Sequence, residues 1–257
     1  MFDNLHINLK NTIFAFNHQT NKINIMKISF YGHATFMVEI KGKKILFDPF
    51  ITHNPLAQEA NISADSIKPD YILISHGHAD HIADAVSIAT RTGAKVVTSW
   101  EIHEWLNKQG VQNTHPMNTG GKWTFDEFTV NCTVAQHSSG LPDGSYGGNP
   151  LGFVICSDEG NFYYSGDTAL TMDMQLIPML YPKLDFALLP IGDNFTMNYE
   201  HAVFASDFIK CNTIVGLHFD TFGFIVIDHD AAKKAFSDKG KTLFLPKPGM
   251  NFSIEKS

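Results

Sequence analysis

Four side chains able to ligate a metal ion fall within six residues of the stretch Ser75-His76-Gly77-His78-Ala79-Asp80-His81, and core packing gives no reason for such a run. Tyr71 to Ile74 just before it is a short apolar run with the pattern of a buried strand. Ile82, Val86 and Ala89 after it recur at helical spacing. The stretch is therefore expected in a strand-to-helix loop. That placement matters, because side chains two apart diverge on a helix but converge from an extended or looped backbone. His76 and His78 are so arranged, Gly77 and Ala79 leave the backbone room to turn, and Asp80 with His81 aims a second pair at a neighbouring point. Two adjacent metal ions use all four. The alternative, a solvated polar loop, loses on chemistry: neutral imidazole and carboxylate are the ligands that suit borderline divalent metals.

No linker, composition shift or low-complexity tract divides the 257 residues, so one domain is expected over 26–257. Residues 1–25 are Asn-rich and weakly periodic, and strand-like order becomes plain only at Met26; they are expected to be an extension outside the core. Hydrophobic residues make up 44% and charged residues 18%, which allows a real core and argues against disorder. With a formal net charge of −7 and Arg91 as the one arginine among 19 basic residues, a basic groove for nucleic acid is not expected. Cys132, Cys156 and Cys211 are odd in number and lie in or beside apolar runs, so they read as small buried hydrophobes and fit a cytoplasmic location. No apolar run reaches the roughly 20 residues that span a bilayer, and no secretory pattern opens the chain. These features point to a soluble protein with a small-molecule substrate and no membrane span, and leave homo-oligomer formation open.

Residues 27–30, 35–40 and 44–47 alternate as strands of an antiparallel meander. His33 sits in its first turn and Asp48 at its end, where a strand delivers a side chain to a site; each has a plain alternative as a turn residue. After the ligand stretch, a helix over 82–92 and a strand over 95–98 complete a βαβ unit, and Ser99 caps a second helix reaching Gln109. Residues 115–121 are a loop by composition. A strand over 128–135 ends at His137, and 140–150 is a long surface loop fit to cover a ligand. Strands 152–157 and 162–164 form a hairpin that leads into Ser165-Gly166-Asp167-Thr168. A short helix over 173–180, a strand over 186–189 and a loop over 191–197 precede a helix capped by Asn198. The strand 213–217 delivers His218, and a helix near 230–237 and a strand near 243–245 finish the chain. Strand-rich blocks with helices between them, twice over, predict an α/β (α+β) fold of two face-to-face sheets with helices outside, a four-layer αββα sandwich.

His76-x-His78-x-Asp80-His81, then His137, Asp167 within Ser-Gly-Asp-Thr and His218 at a strand end resemble, in order, the ligand set of the metallo-β-lactamase superfamily. Tyr31-Gly32-His33, Asp48-Pro49, His137-Ser138-Ser139, the stretch from Ser165 to Thr168 and the loop from Gly192 to Met197 resemble the branch of metal-dependent hydrolases related to ascorbate-6-phosphate lactonases. The resemblance runs from about Met26 to the C-terminus. It implies the metallo-β-lactamase fold, with His76, His78 and His137 on one metal, Asp80, His81 and His218 on the other, and Asp167 bridging them. Flavin-linked di-iron relatives carry Glu where His78 stands, and lactamases proper often place a Cys on the second metal. Neither departure is seen here, so redox chemistry and antibiotic hydrolysis lose ground.

The imidazole and carboxylate set serves zinc or manganese, with iron as a further candidate. A water caught between two dications has its pKa lowered toward neutrality, so a metal-bridging hydroxide is expected to attack a small ester or lactone, with or without a phosphate. Asp80 and Asp167 are the expected catalytic residues. Asp48, Ser138 and Thr168 are expected behind the ligands, fixing imidazole tautomers. His33, Asn118, Asn194 and Thr196 are expected substrate contacts, against the plainer reading that Asn and Thr in such loops cap the backbone. A phosphodiesterase acting on a small or lipid phosphodiester is the alternative among enzymes. A non-catalytic metal-binding module is the alternative outside them, and the complete ligand set argues against it. His103 reads as a helix-surface residue; of the other histidines, His53 is the nearest to an exception because it closely follows Asp48-Pro49.

Overall fold

Along β1 (Ile25–Gly32), Met26, Ile28 and Phe30 are buried while Ile25 and Lys27 face out, and that period of two gives a strand with one face for a core. The computed structural model describes residues 25–256. The expected extension over 1–25 lies outside the described residues except for its last residue, Ile25, which opens β1. β1 pairs antiparallel with β2 (Thr35–Ile40), and β2 with β3 (Lys43–Phe47); β4 (Tyr71–Leu73), β5 (Lys95–Ser99) and β6 (Thr114–Met117) then follow β3 in parallel. A second sheet runs antiparallel through β7 (Lys122–Thr124), β8 (Thr129–Val134), β9 (Leu151–Ser157) and β10 (Gly160–Tyr164). It continues in parallel through β11 (Phe186–Pro190), β12 (Thr213–Leu217) and β13 (Thr242–Phe244). A last strand, β14 (Asn251–Glu255), adds to the outer edge of β1 and closes the first sheet at seven strands.

The inner faces of the two sheets meet in an aromatic core. Phe36, Phe47, Phe153, Phe162, Tyr164 and Phe186 are fully buried there, with Phe36 stacked on Phe47 at 4.5 Å between ring centres. Each outer face is covered by helices. α1 (Pro55–Glu59), α2 (Ala79–Ile82), α3 (Ala85–Thr92) and α4 (Trp100–Lys108) bring Ile88, Ile102 and Leu106 onto the first sheet. On the second, α5 (Ile177–Leu180), α6 (Tyr199–Phe208) and α7 (His229–Ser237) bring Ile177, Ala205 and Phe236. The expected αββα sandwich is the fold observed.

Four local expectations are corrected. Residues 115–121 were expected as a loop, but the segment opens in β6, an edge strand where Pro116 costs no ladder bond because its nitrogen side is unpaired. β14 escaped notice because its polar residues carry no apolar run. The helix expected over 82–92 breaks at Ala83-Asp84, where the Asp84 carboxylate accepts from the backbone N–H groups of Ile51 and Thr52 and from the Thr52 hydroxyl. The helix expected over 173–180 is a 3-10 turn, Met172–Leu176, followed by α5, which restarts with Pro178 in its first turn.

The pairing directions place the site. β3 and β4 are parallel, as are β10 and β12, and β8 runs with β10 because both oppose β9. The residues that follow the C-terminal ends of these strands, Asp48, His76, His137, Asp167 and His218, therefore gather at one rim of the sandwich.

Candidate metal centre

Two of these positions, Asp48 and His218, and the neighbouring His33 have φ of 41°, 55° and 58°, in the left-handed region that residues other than Gly adopt uncommonly. Such conformations cost free energy and persist where the surroundings over-determine them. Here His218 N donates to His33 O at 3.0 Å, and Asp48 N to Leu73 O at 3.0 Å. The ligand stretch is held as firmly, with Gly77 N donating to Ser139 Oγ at 3.0 Å and Leu151 N to Ser75 O at 2.9 Å. His78, extended at φ −64° and ψ 148°, is the N-cap of α2, which turns Asp80 and His81 back toward the rim.

Among the described residues three groups of potential ligand atoms lie within 4.8 Å of one another; one of them, Asp48 with His76 and His81, lies behind the rings, and the other two face the rim. One comprises His76, His78 and His137; the other comprises Asp80, His81 and His218, with His33 beside them. Asp167 stands between the two. Its Oδ2 is 3.0 Å from His218 Nε2, 3.3 Å from His81 Nε2 and 3.7 Å from His137 Nε2.

Hydrogen bonds behind the rings fix which nitrogen faces inward. Four donors converge on the Asp48 carboxylate: Ser75 N and Oγ, Tyr164 OH and His81 Nδ1, the last at 2.8 Å. Since Ser75 Oγ gives its proton to Asp48, it accepts from His76 Nδ1 at 2.9 Å, which leaves a bare lone pair on His76 Nε2. His81 donates from Nδ1 and turns its buried Nε2 toward Asp167 Oδ2 at 3.3 Å, the side from which a cation would take the place of the ring's second proton. His78 Nε2 lies 3.2 Å from Ser138 Oγ and turns Nδ1 inward, 3.0 Å from His76 Nε2. In the metal-free protein these two nitrogens are close enough to share a proton, and the same convergence suits them as co-ligands of one cation. The donor set therefore fits a cation.

Charge balance agrees. Burial, joined by His81, pushes His76 well below the ordinary histidine range, and burial also lowers His78 and His137. Burial acts against ionised Asp167 and Asp80, but the imidazoles of His218 and His81 outweigh it at Asp167, and the His33 hydrogen bond with His81 outweighs it at Asp80. Both carboxyls are held below their usual range. His81 is the exception, raised because Asp167 and Asp48 overcome its burial. Ionised carboxylates and mostly neutral imidazoles are the protonation state metal binding needs.

The remaining expected site residues divide. Asp48 lies behind His81 and, through Ser75, behind His76. Ser138 faces His78 directly. Thr168 touches no ligand ring; its hydroxyl accepts from Gln136 N at 3.0 Å and braces the backbone beside His137. His33, expected to contact substrate, is only 1% exposed and lies behind Asp80, with Nε2 3.1 Å from Asp80 Oδ2 and Nδ1 2.9 Å from Thr221 Oγ1. Asn118 and Asn194 are exposed, and neither they nor Thr196 line the cleft at the rim. His53 is exposed and outside the clusters. His103, read as a surface residue, is partly buried and bonds Thr114 at 2.7 Å. Sequence reasoning missed Ser75 and Tyr164, although each directly precedes a motif it had singled out, and it missed the aromatic residues of the cleft. That cleft, of about 630 Å³, opens over Asp80, Asp167 and His218 and is walled by Phe195, Phe222 and Phe224.

A family model described as a β-lactamase superfamily domain matches residues 43–219, a span that holds both clusters and Asp48. The chain belongs to the metallo-β-lactamase superfamily. It is 55% identical to a UPF0173 metal-dependent hydrolase of Flavobacterium johnsoniae over 220 residues, covering 86% of this chain and 96% of that protein. A UPF0173 metal-dependent hydrolase of Carboxydothermus hydrogenoformans is 44% identical, covering 85% and 93%. Among solved structures, Igni18, a metallo hydrolase of Ignicoccus hospitalis, is 34% identical and superimposes with a TM-score of 0.81, covering 91% of this chain and all of that one. The superfamily member described here is accordingly a metal-dependent hydrolase. Among the described residues, no helix is long and apolar enough to cross a membrane.

Proposed function

We propose that the centre binds two divalent cations, zinc or manganese with iron as an alternative, and that the protein uses them to hydrolyse a small ester or lactone in the cytoplasm. The observation that carries this reading is the position of Asp167, whose Oδ2 lies within 3.7 Å of imidazole nitrogens from both clusters. A carboxylate so placed would help to hold both cations. His76, His78 and His137 would hold one, and Asp80, His81 and His218 the other. Such a pair polarises a carbonyl and makes water a nucleophile near neutral pH.

The chain's own groups supply orientation. Ser75 keeps the proton on His76 Nδ1, and Asp48 keeps that on His81 Nδ1, so both rings present Nε2 without rotating. Asp80 is the partly exposed carboxylate at the floor of the cleft. With Oδ2 fixed by His33, its free lone pairs can accept a proton-bearing edge of the attacking water and aim it at a carbonyl above.

A substrate panel tests the assignment. Metal-loaded protein is assayed on γ-lactones, p-nitrophenyl carboxylates and bis(p-nitrophenyl) phosphate, with kcat/KM highest on an ester or lactone. A phosphodiester turned over at least tenfold better than every ester and lactone would instead assign the protein as a phosphodiesterase.

A further inference from the structure

Phe195 and Phe224 are 51% and 77% exposed, yet they stand edge to face at 6.3 Å between ring centres, directly over the metal-binding rim. Exposed rings scattered singly need no explanation, but rings grouped at the mouth of a catalytic cleft mark a contact surface. The grouping is braced. Phe222 packs edge-on against His33 at 5.4 Å, so the aromatic wall continues into the layer behind Asp80. The segment carrying Phe222 and Phe224 is closed by Asp220, whose N–H donates to Ile225 O at 2.8 Å and whose carboxylate accepts from Ile227 N at 3.1 Å and pairs with His229 at 2.6 Å. Thr221, in the same segment, is the partner of His33 Nδ1.

The charges of the cleft point the same way. None of the described residues that line it is Lys or Arg. Its fixed charges are the carboxylates Asp80 and Asp167, both assigned above to the cations. A phosphate or carboxylate carried by the substrate away from the scissile bond would find no cationic side chain in this lining, only phenyl rings and the Ser138 hydroxyl, and would lose hydration for little in return. We infer that the substrate carries an uncharged apolar group beside the hydrolysed bond, an acyl chain or aryl ring of a size suited to a cleft of about 630 Å³, seated on Phe195, Phe222 and Phe224. This inference rests on the ester or lactone reading. It removes the phosphate from the substrate class and makes the two exposed rings specificity-determining residues.

The test compares wild type with the double variant Phe195→Ser/Phe224→Ser, both metal-loaded, on p-nitrophenyl acetate, butyrate and hexanoate and on mono-p-nitrophenyl adipate. Each methylene moved from water onto an apolar surface is worth roughly two- to fourfold in kcat/KM. Wild type is expected to favour hexanoate over acetate by at least about tenfold and over adipate, which carries a distal carboxylate, by a similar margin. In the double variant the hexanoate preference falls below about threefold. A flat chain-length series in wild type, an unchanged series in the double variant, or preference for adipate overturns the inference. If no ester or lactone is turned over, the reaction assignment fails by itself, and binding of 4-phenyl-2-butanone, a ketone that hydrolysis cannot consume, decides the apolar seat. Saturation by wild type with at least tenfold weaker binding to the double variant, read by NMR titration, sustains it; no binding to wild type at millimolar ketone overturns it.

Discussion

Asp48 Oδ2 lies 2.8 Å from His81 Nδ1 with both side chains fully out of solvent, and the same oxygen accepts from Ser75 and Tyr164. Because Ser75 in turn orients His76, one carboxylate sets the tautomers of two rings in different clusters. Asp48→Asn is expected to weaken metal binding by roughly 10- to 100-fold, since an amide offers one acceptor where several donors converge. Competition against a metallochromic chelator measures it. Wild-type affinity in the variant would mean that the rings are oriented from elsewhere.

Asp167→Ala is expected to abolish hydrolysis and lower the metal content from two equivalents, because its Oδ2 approaches nitrogens of both clusters. His103→Ala serves as the control. Its ring bonds Thr114 Oγ1 at 2.7 Å, so the variant loses about 1 kcal/mol of stability and no metal. Elemental analysis of both proteins, purified without chelator and metal-loaded, gives the answer. Equal metal loss in the two, or one equivalent in wild type, sinks the dinuclear assignment.

His33 is expected to give the metal-free protein a pH dependence whose sign follows from its burial. Burial, reinforced by His218, lowers its pKa to about 3 although Asp80 acts in the opposite direction. In the unfolded chain it titrates near its ordinary value of about 6.5. Between those values the unfolded state binds the extra proton, so the effect is absent above about pH 6.5 and stability is progressively lost as pH falls toward 3, by up to about 1.4 kcal/mol per pH unit. Urea unfolding of metal-free wild type and His33→Asn between pH 4.5 and 7 should show the shallower slope in the variant. Parallel slopes would mean that His33 is protonated in the fold.

The sandwich was legible because its strands alternate cleanly and its apolar runs are short, as in β1 with Met26, Ile28 and Phe30. The ligand stretch was legible because six residues suffice to state a coordination chemistry. β14 and β6 were hidden by polar composition and by Pro116, features that only an edge strand tolerates. The cleft was hidden for a different reason. Phe195, Phe222 and Phe224 look in sequence like any core phenylalanine, and whether such a ring points inward or stands exposed over a site is decided by loop backbone. His33 was misplaced by the same kind of ambiguity: a turn histidine can face the cleft or the layer behind it, and its hydrogen bonds to Asp80 and Thr221 decide for the latter.

Gly192 is the residue in the Gly192-Asp193-Asn194-Phe195 turn on which the second cluster depends sterically. A Cβ added there would lie far inside contact distance of the His218 carbonyl oxygen and 3.1 Å from Ile225 Cβ. The obstacle is backbone, which cannot rotate away, and Ile191 is tied to the end of β12 by its N–H to Leu217 O at 3.0 Å. Strain in Gly192→Ala must therefore be relieved by shifting His218, whose left-handed backbone and Nε2, 3.0 Å from Asp167, leave little slack. Overpacking of this kind costs roughly 1–3 kcal/mol. The larger consequence is selective: His76, His78 and His137 stay in place while Asp80 and His81 lose a co-ligand. The variant is expected to fold with a lowered Tm and to retain about one equivalent of metal instead of two. Two tightly held equivalents with an unchanged Tm would show that the turn yields without moving His218.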